Sequence, residues 1–166
     1  MANPQITMTV GAPGSGKTTY ARSLDPTEWV IISLDDIRAS LFGSKQVYWK
    51  HVGENPWMRD LIHTVQRGML RSALKLEKNV VLANTHTNPE SCHDVIDILV
   101  THRIEPKIVV FDVPWETLVA REQVRTAEDA VGQTFLRQSY EQQWAPNAWW
   151  RSMPNVEFNH QAETRA

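Results

Sequence analysis

Cysteine is nearly absent from this sequence: Cys92 stands alone among 166 residues. One thiol makes no internal disulfide, so the chain must be held by a core, and a reducing, cytoplasmic compartment is its expected home. Cys92 itself reads as a half-buried or exposed bystander rather than a nucleophile. Long apolar runs are also missing. None approaches the roughly 20 residues needed to span a bilayer, so no membrane association is expected. The first residues show no basic stretch leading into an apolar segment and a small-residue cleavage site, so no export signal is expected. Nor is there a surplus of positive charge. The net charge is −2, and the whole-chain field does not announce a nucleic-acid binder. His51, His86, His93 and His102 lack metal-ligand spacing, and no zinc site is expected.

What is present suits one compact domain over residues 1–166, with Gln161–Ala166 reading as a frayed tail. No repeat, low-complexity stretch or linker divides the chain. Apolar runs at Ile6–Val10, Trp29–Leu34, Asn79–Ala83, Lys107–Phe111 and Asn155–Phe158 read as strands. Between them Lys17–Leu24, residues 57–76, Pro89–Thr101, Trp115–Arg121 and Phe135–Trp144 read as helices. The apolar face of the 57–76 helix is expected to carry Leu61, Ile62, Val65, Met69 and Ala73. Strands alternating with helices predict an α/β fold: a parallel sheet of about five strands with helices on both faces. Ligands in such sheets sit beyond the carboxyl ends of the strands, which puts residues 11–18, 35–38, 84–88 and 112–115 under question.

The first of these stretches, Gly11-Ala12-Pro13-Gly14-Ser15-Gly16-Lys17-Thr18, fits G-x-x-x-x-G-K-[ST] without a mismatch, after a strand and before a helix. Its glycines permit a loop whose N–H groups turn inward around a phosphate. Lys17 is placed to reach the β- and γ-phosphates of ATP, and the Thr18 hydroxyl to take one position on Mg²⁺, with Thr19 beside them. This is a P-loop NTPase signature, with ATP and Mg²⁺ as the implied donor and cofactor.

Asp35-Asp36-Ile37-Arg38 follows the second strand. Phosphorylating an alcohol takes a carboxylate to orient the hydroxyl and accept its proton, and a cation to hold the acceptor. Asp35 is read as the catalytic carboxylate and Asp36 as structural; the bland alternative for either is a helix cap. Arg121 and Arg125 lie four apart, on one helix face if the helix runs that far. The polar Thr126–Gln133 segment after them has the look of a short lid that closes arginines over the phosphates.

Together, GAPGSGKTTYAR (11–22), DDIR (35–38), NTHTNPE (84–90) and FDVPWETLVAR (111–121) with Arg125 resemble the kinase domain of phage polynucleotide kinases, the P-loop 5′-hydroxyl kinase family. The P-loop is common to many NTPases; the DDxR and FDVPW pieces are more specific. The resemblance implies a 5′-hydroxyl kinase acting on DNA or another polynucleotide, with Asp35 as general base, Arg38 on acceptor phosphate and Arg125 in the lid with Arg121 one turn earlier. On the acceptor side the family carries an Asp where this chain has Asn84, with His86 two residues on. The family protein continues into a phosphatase domain where this chain stops, so repair of 3′-phosphate ends is not implied. A related group of phage kinases phosphorylates 5-hydroxymethyluracil within DNA, and that function is the alternative. A small-molecule P-loop kinase is the second alternative.

Weaker features also point toward nucleic acid. Eight Lys/Arg face three acids between Arg38 and Lys78. His63, Arg67, Arg71 and Lys75 recur every four residues and read as a solvated face or a track for a phosphodiester backbone. Tyr48, Trp49 and Trp57 read as surfaces for stacking a base. Trp144 reads as core, while Trp149 and Trp150 read as either core closure or a stacking platform.

Overall fold

A computed structural model describes residues 3–160. The expected tail, 161–166, lies outside the described residues. Five parallel strands, β1 Ile6–Val10, β2 Trp29–Ile32, β3 Asn79–Leu82, β4 Lys107–Phe111 and β5 Val156–Asn159, form one sheet in the order β2-β3-β1-β4-β5. The helices are α1 Lys17–Ser23, α2 Leu34–Phe42, α3 Lys45–His51, α4 Trp57–Lys75, α5 His93–Thr101, α6 Trp115–Gln123 and α7 Gln133–Trp144. Short 3₁₀ turns occupy Pro89–Ser91 and Trp149–Ser152. The predicted α/β fold is the fold observed: a five-stranded parallel sheet with helices on both faces.

β1 is buried along its whole length because both faces of the central strand are covered. Ile6, Met8 and Val10 join Val80, Leu82, Ile108 and Val110 in a core closed by α4 and α5. The opposite parity meets α1: Ala21 packs with Val81 and Ala83, and Tyr20 sets its ring edge-on to Phe111 at 5.7 Å. Since β1 lies between β3 and β4, the loops leaving all three carboxyl ends converge on one crevice.

Several expectations shift in detail. The second strand ends at Ile32, not Leu34, because Ser33 caps a new helix by accepting from Asp36 N at 3.4 Å. Neither Asp35 nor Asp36 is therefore the cap; both lie in the first turn of α2. On α4 the buried stripe is Met58, Ile62, Gln66, Leu70, Ala73 and Leu74, rotated from the expected face, with Leu61 and Met69 exposed. The rotation turns Gln66 inward, where an asparagine needs it. The segment after Asn88 begins as a 3₁₀ turn and becomes α-helical only at His93. Cys92 is fully buried rather than half-buried, and burial pushes its thiol up to about 12, which fits an inert core residue.

Candidate active site

The phosphate loop leaves β1 through contacts that fix its path. Gly11 N donates to Thr85 O at 3.0 Å, tying the loop to the segment after β3. A Cβ at Gly11 would collide with Ser15 Oγ and press on Phe111 Cβ, so no larger residue fits. Gly14 and Gly16 have φ of 81° and 100°, in the left-handed region that glycine enters without strain. Gly16 caps α1 without any side-chain hydrogen bond, leaving the first-turn N–H groups free for an anion.

Lys17 is buried within this loop, its Nζ donating to Ala12 O at 2.8 Å and Ser15 Oγ at 3.3 Å. Burial lowers its pKa to about 7; Asp35 raises it and Arg125 lowers it further. A buried ammonium so poorly compensated is a site prepared for negative charge. Thr18 and Thr19 are exposed at the start of α1. Among the described residues no group of three His, Cys, Asp or Glu is placed to hold a metal. The Thr18 hydroxyl does fit the Mg²⁺ of a P-loop, an ion that takes most of its ligands from phosphates and water. Arg121 Nη1 donates to Gly14 O at 2.8 Å and braces the loop from α6.

Beyond the phosphate loop, the first turn of α2 presents Asp35, half exposed. Arg38 Nη1 donates to Asp35 Oδ1 at 2.8 Å, and Lys45 Nζ stands 3.8 Å from Asp35 Oδ2. The Arg38 guanidinium lies 5.0 Å from the Tyr48 ring centroid and 4.7 Å from that of Trp49. Tyr48 is only 1% exposed and is unavailable to a base, correcting the expectation that it stacks one. Trp49 and Trp57 remain more than half exposed.

Asn84 and His86 are buried behind this turn. Asn84 Oδ1 accepts from Leu34 N at 2.8 Å, and Nδ2 donates to Gln66 Oε1 at 2.8 Å. His86 Nδ1 donates to Thr9 O at 2.7 Å, leaving Nε2 as acceptor toward Asn84 Nδ2 at 3.5 Å. Burial first, and the charge of Lys17 after it, lower His86 to about 4 despite its bond to Thr9. The asparagine thus fixes the start of α2, and with it Asp35, to the end of β3.

α6 stops at Gln123, so Arg125 is not on the same helix face as Arg121. It sits on the segment beyond, where Glu122 gathers the backbone: Glu122 Oε1 accepts from Val131 N at 2.6 Å and Gly132 N at 2.9 Å. Glu122 Oε2 meets Arg125 Nη1 at 3.5 Å.

Three contributors escaped the sequence reading. Gln143 of α7 accepts from Ala12 N at 3.0 Å and donates to Phe111 O at 2.9 Å, joining the phosphate loop to the end of β4. Its signal was a polar residue at a core position, one turn after Ser139 on the face of Leu136. Glu122 and Lys45 carry no local signal at all. Trp150 donates to Gln143 O at 2.8 Å and Trp149 to His86 O at 2.7 Å, so both belong to core closure; Trp144 packs against the core as expected.

Residues 6–145 match the AAA domain family AAA_33. The chain belongs to this family. Among solved structures it is similar to a chain of the Pnkp1/Rnl/Hen1 RNA repair complex, at 26% identity and a TM-score of 0.68 over 86% of this chain. It spans 45% of the length of that relative. Shikimate kinase from Acinetobacter baumannii (19% identity, TM-score 0.62, 96% of this chain, 86% of that one) shares the fold. So does the APS kinase CysC of Mycobacterium tuberculosis (15%, 0.54, 75%, 71%). This AAA-family chain accordingly has the P-loop fold that these structures share. No described helix is long and apolar enough to cross a membrane.

Proposed function

We propose that this chain is an ATP-dependent kinase that transfers the γ-phosphoryl group to the 5′-hydroxyl end of a polynucleotide, DNA in the first instance. The observation that carries it is the grouping of Asp35 with Arg38 and Lys45, within electrostatic reach of Lys17 and, through it, Arg125. The relative within an RNA repair complex supports a polynucleotide acceptor.

The phosphate loop, residues 11–19, holds the donor phosphates through backbone N–H groups, and Lys17 follows the γ-phosphoryl during transfer. Bound Mg²⁺, held in part by Thr18, would neutralise phosphate charge. Asp35 orients the acceptor hydroxyl and takes its proton as the oxygen–phosphorus bond forms and the bond to the leaving ADP oxygen breaks. Arg125 and Arg121 counter charge on the transferring group and brace the loop. Arg38 faces the acceptor phosphate. Asn84 and His86 serve the acceptor side from behind, by fixing the turn that carries Asp35. A second reading, from the resemblance to the related phage kinases, places the acceptor hydroxyl on 5-hydroxymethyluracil within DNA.

The test compares a nucleoside 3′-monophosphate with the bare nucleoside as acceptor. An Arg38 that meets phosphate makes the first better by about tenfold or more, as a charge-assisted contact requires. Equal rates for the two would reject the polynucleotide-end reading.

A further inference from the structure

Lys45 opens α3, where the partial positive charge of the helix end disfavours a cation, and no acid offsets it in that first turn. Its side chain is only 18% exposed, less than either carboxylate it meets. Nζ lies 2.8 Å from Asp129 Oδ1 on the segment between α6 and α7, and 3.8 Å from Asp35 Oδ2 on α2. The neighbouring Gln46 donates from Nε2 to Ala127 O at 3.0 Å. Asp129 stands on a turn closed by its own N–H to Thr126 O at 3.0 Å and by Ala130 N to the same oxygen at 2.8 Å. The 124–132 segment is therefore anchored twice: at its root by Glu122, and at its tip by Lys45 and Gln46. Arg125 lies between the two anchors and close enough to Lys17 to depress its pKa.

We propose that Lys45 is a positioning residue that latches the lid, residues 124–132, onto the acceptor-side helix pair and shares its charge with Asp35. The assignment rests on the kinase reading above for the role of Asp35 and Arg125. Fixing the lid tip fixes Arg125 over the phosphate site, so donor closure depends on a residue that also borders the acceptor carboxylate. The pair is partly solvated, which keeps the latch weak enough to open in each cycle.

The experiment measures MgATP binding at equilibrium, turnover, and amide hydrogen exchange across 124–132 in four forms: Lys45→Met, Lys45→Glu, Asp129→Lys, and the last two combined. Each single variant is expected to weaken MgATP by about threefold to fivefold, the range of a partly exposed ion pair, and to speed exchange at the lid. The double variant restores the pair, so nucleotide binding and lid protection return. Its turnover stays low, because a carboxylate at position 45 now faces Asp35. Unchanged nucleotide affinity and unchanged lid exchange in Lys45→Met and Asp129→Lys would overturn the latch. Recovery of turnover along with binding in the double variant would overturn the shared role at Asp35. Nucleotide binding needs no acceptor. A latch that behaves as described in a protein that phosphorylates no polynucleotide would therefore uphold this inference while rejecting the acceptor assignment. Melting temperatures for all four forms separate loss of the latch from loss of the fold.

Discussion

The proposed donor and acceptor halves of the site are built by different means. The donor half is backbone: a loop held by Gly11 N to Thr85 O, turned by two left-handed glycines, and filled by a lysine bonded to a carbonyl of its own loop. The proposed acceptor half is side chain: Asp35, Arg38 and Lys45 meet through ion pairs at the starts of two short helices, with the two cations mostly buried and the carboxylate half open to solvent. Backbone geometry demands particular residues at fixed spacing, whereas ion pairs can be assembled from many places. The donor half can therefore be shared by kinases of different acceptors, and the acceptor half can vary beneath it.

Breaking each half should separate binding from chemistry. Lys17→Ala is expected to lower turnover by about 10²–10³-fold or more, since its charge matters most as the γ-phosphoryl transfers. Asp35→Asn should cost a similar factor, about 10²–10⁴, while nucleotide affinity stays near normal because the amide cannot take a proton. Equilibrium MgATP binding beside turnover reads both. If Asp36→Asn is the damaging change and Asp35→Asn the mild one, the roles of the two aspartates are reversed.

In the proposed reading the 124–132 segment joins the halves as a lid, and Arg125 tests the joint. Arg125→Lys keeps the charge but loses the planar fork, and about a tenfold loss of turnover is expected. A near-normal lysine variant would mean that charge alone suffices there.

Sequence legibility followed the same division. The phosphate loop was readable because its torsions demand glycine, and β1, β3 and β4 because burial on both faces gives continuous apolar runs; the edge strands β2 and β5 are only partly buried. α2 and α3 were not among the expected helices; α2 begins where the expected second strand still ran, since Ser33 outweighs the apolar continuation through Leu34. The face of α4 was misplaced because Gln66 is buried for its bond to Asn84, which hydrophobic periodicity counts as polar. Gln143 and Lys45 act across long stretches of chain, and Glu122 binds backbone N–H groups about a loop's length ahead, which no side-chain pattern announces.

An effect of another kind, on stability and not on turnover, is expected beneath the Asp35 turn. Below about pH 6.5 the unfolded chain takes up a proton at His86 that the native state refuses until about 4. Stability is therefore lost as the pH falls through that window, by up to about 3 kcal/mol from this residue. His86→Asn suits the left-handed backbone there (φ 46°) and should flatten the loss in denaturant titrations at pH 7 and pH 4.5. An unchanged pH dependence would remove His86 as its source.

The central claim is that phosphate from ATP arrives at the 5′-hydroxyl end of a polynucleotide. Labelled ATP offered with two duplexes tests it directly, one with 5′-hydroxyl ends and ordinary bases, the other with blocked ends and internal 5-hydroxymethyluracil. Mass spectrometry then locates the phosphate. The account predicts label at the 5′ ends of the first duplex and none on the second. Label only on the internal bases of the second would contradict it and give the same Lys17, Asp35 and Arg125 a base-hydroxymethyl acceptor instead.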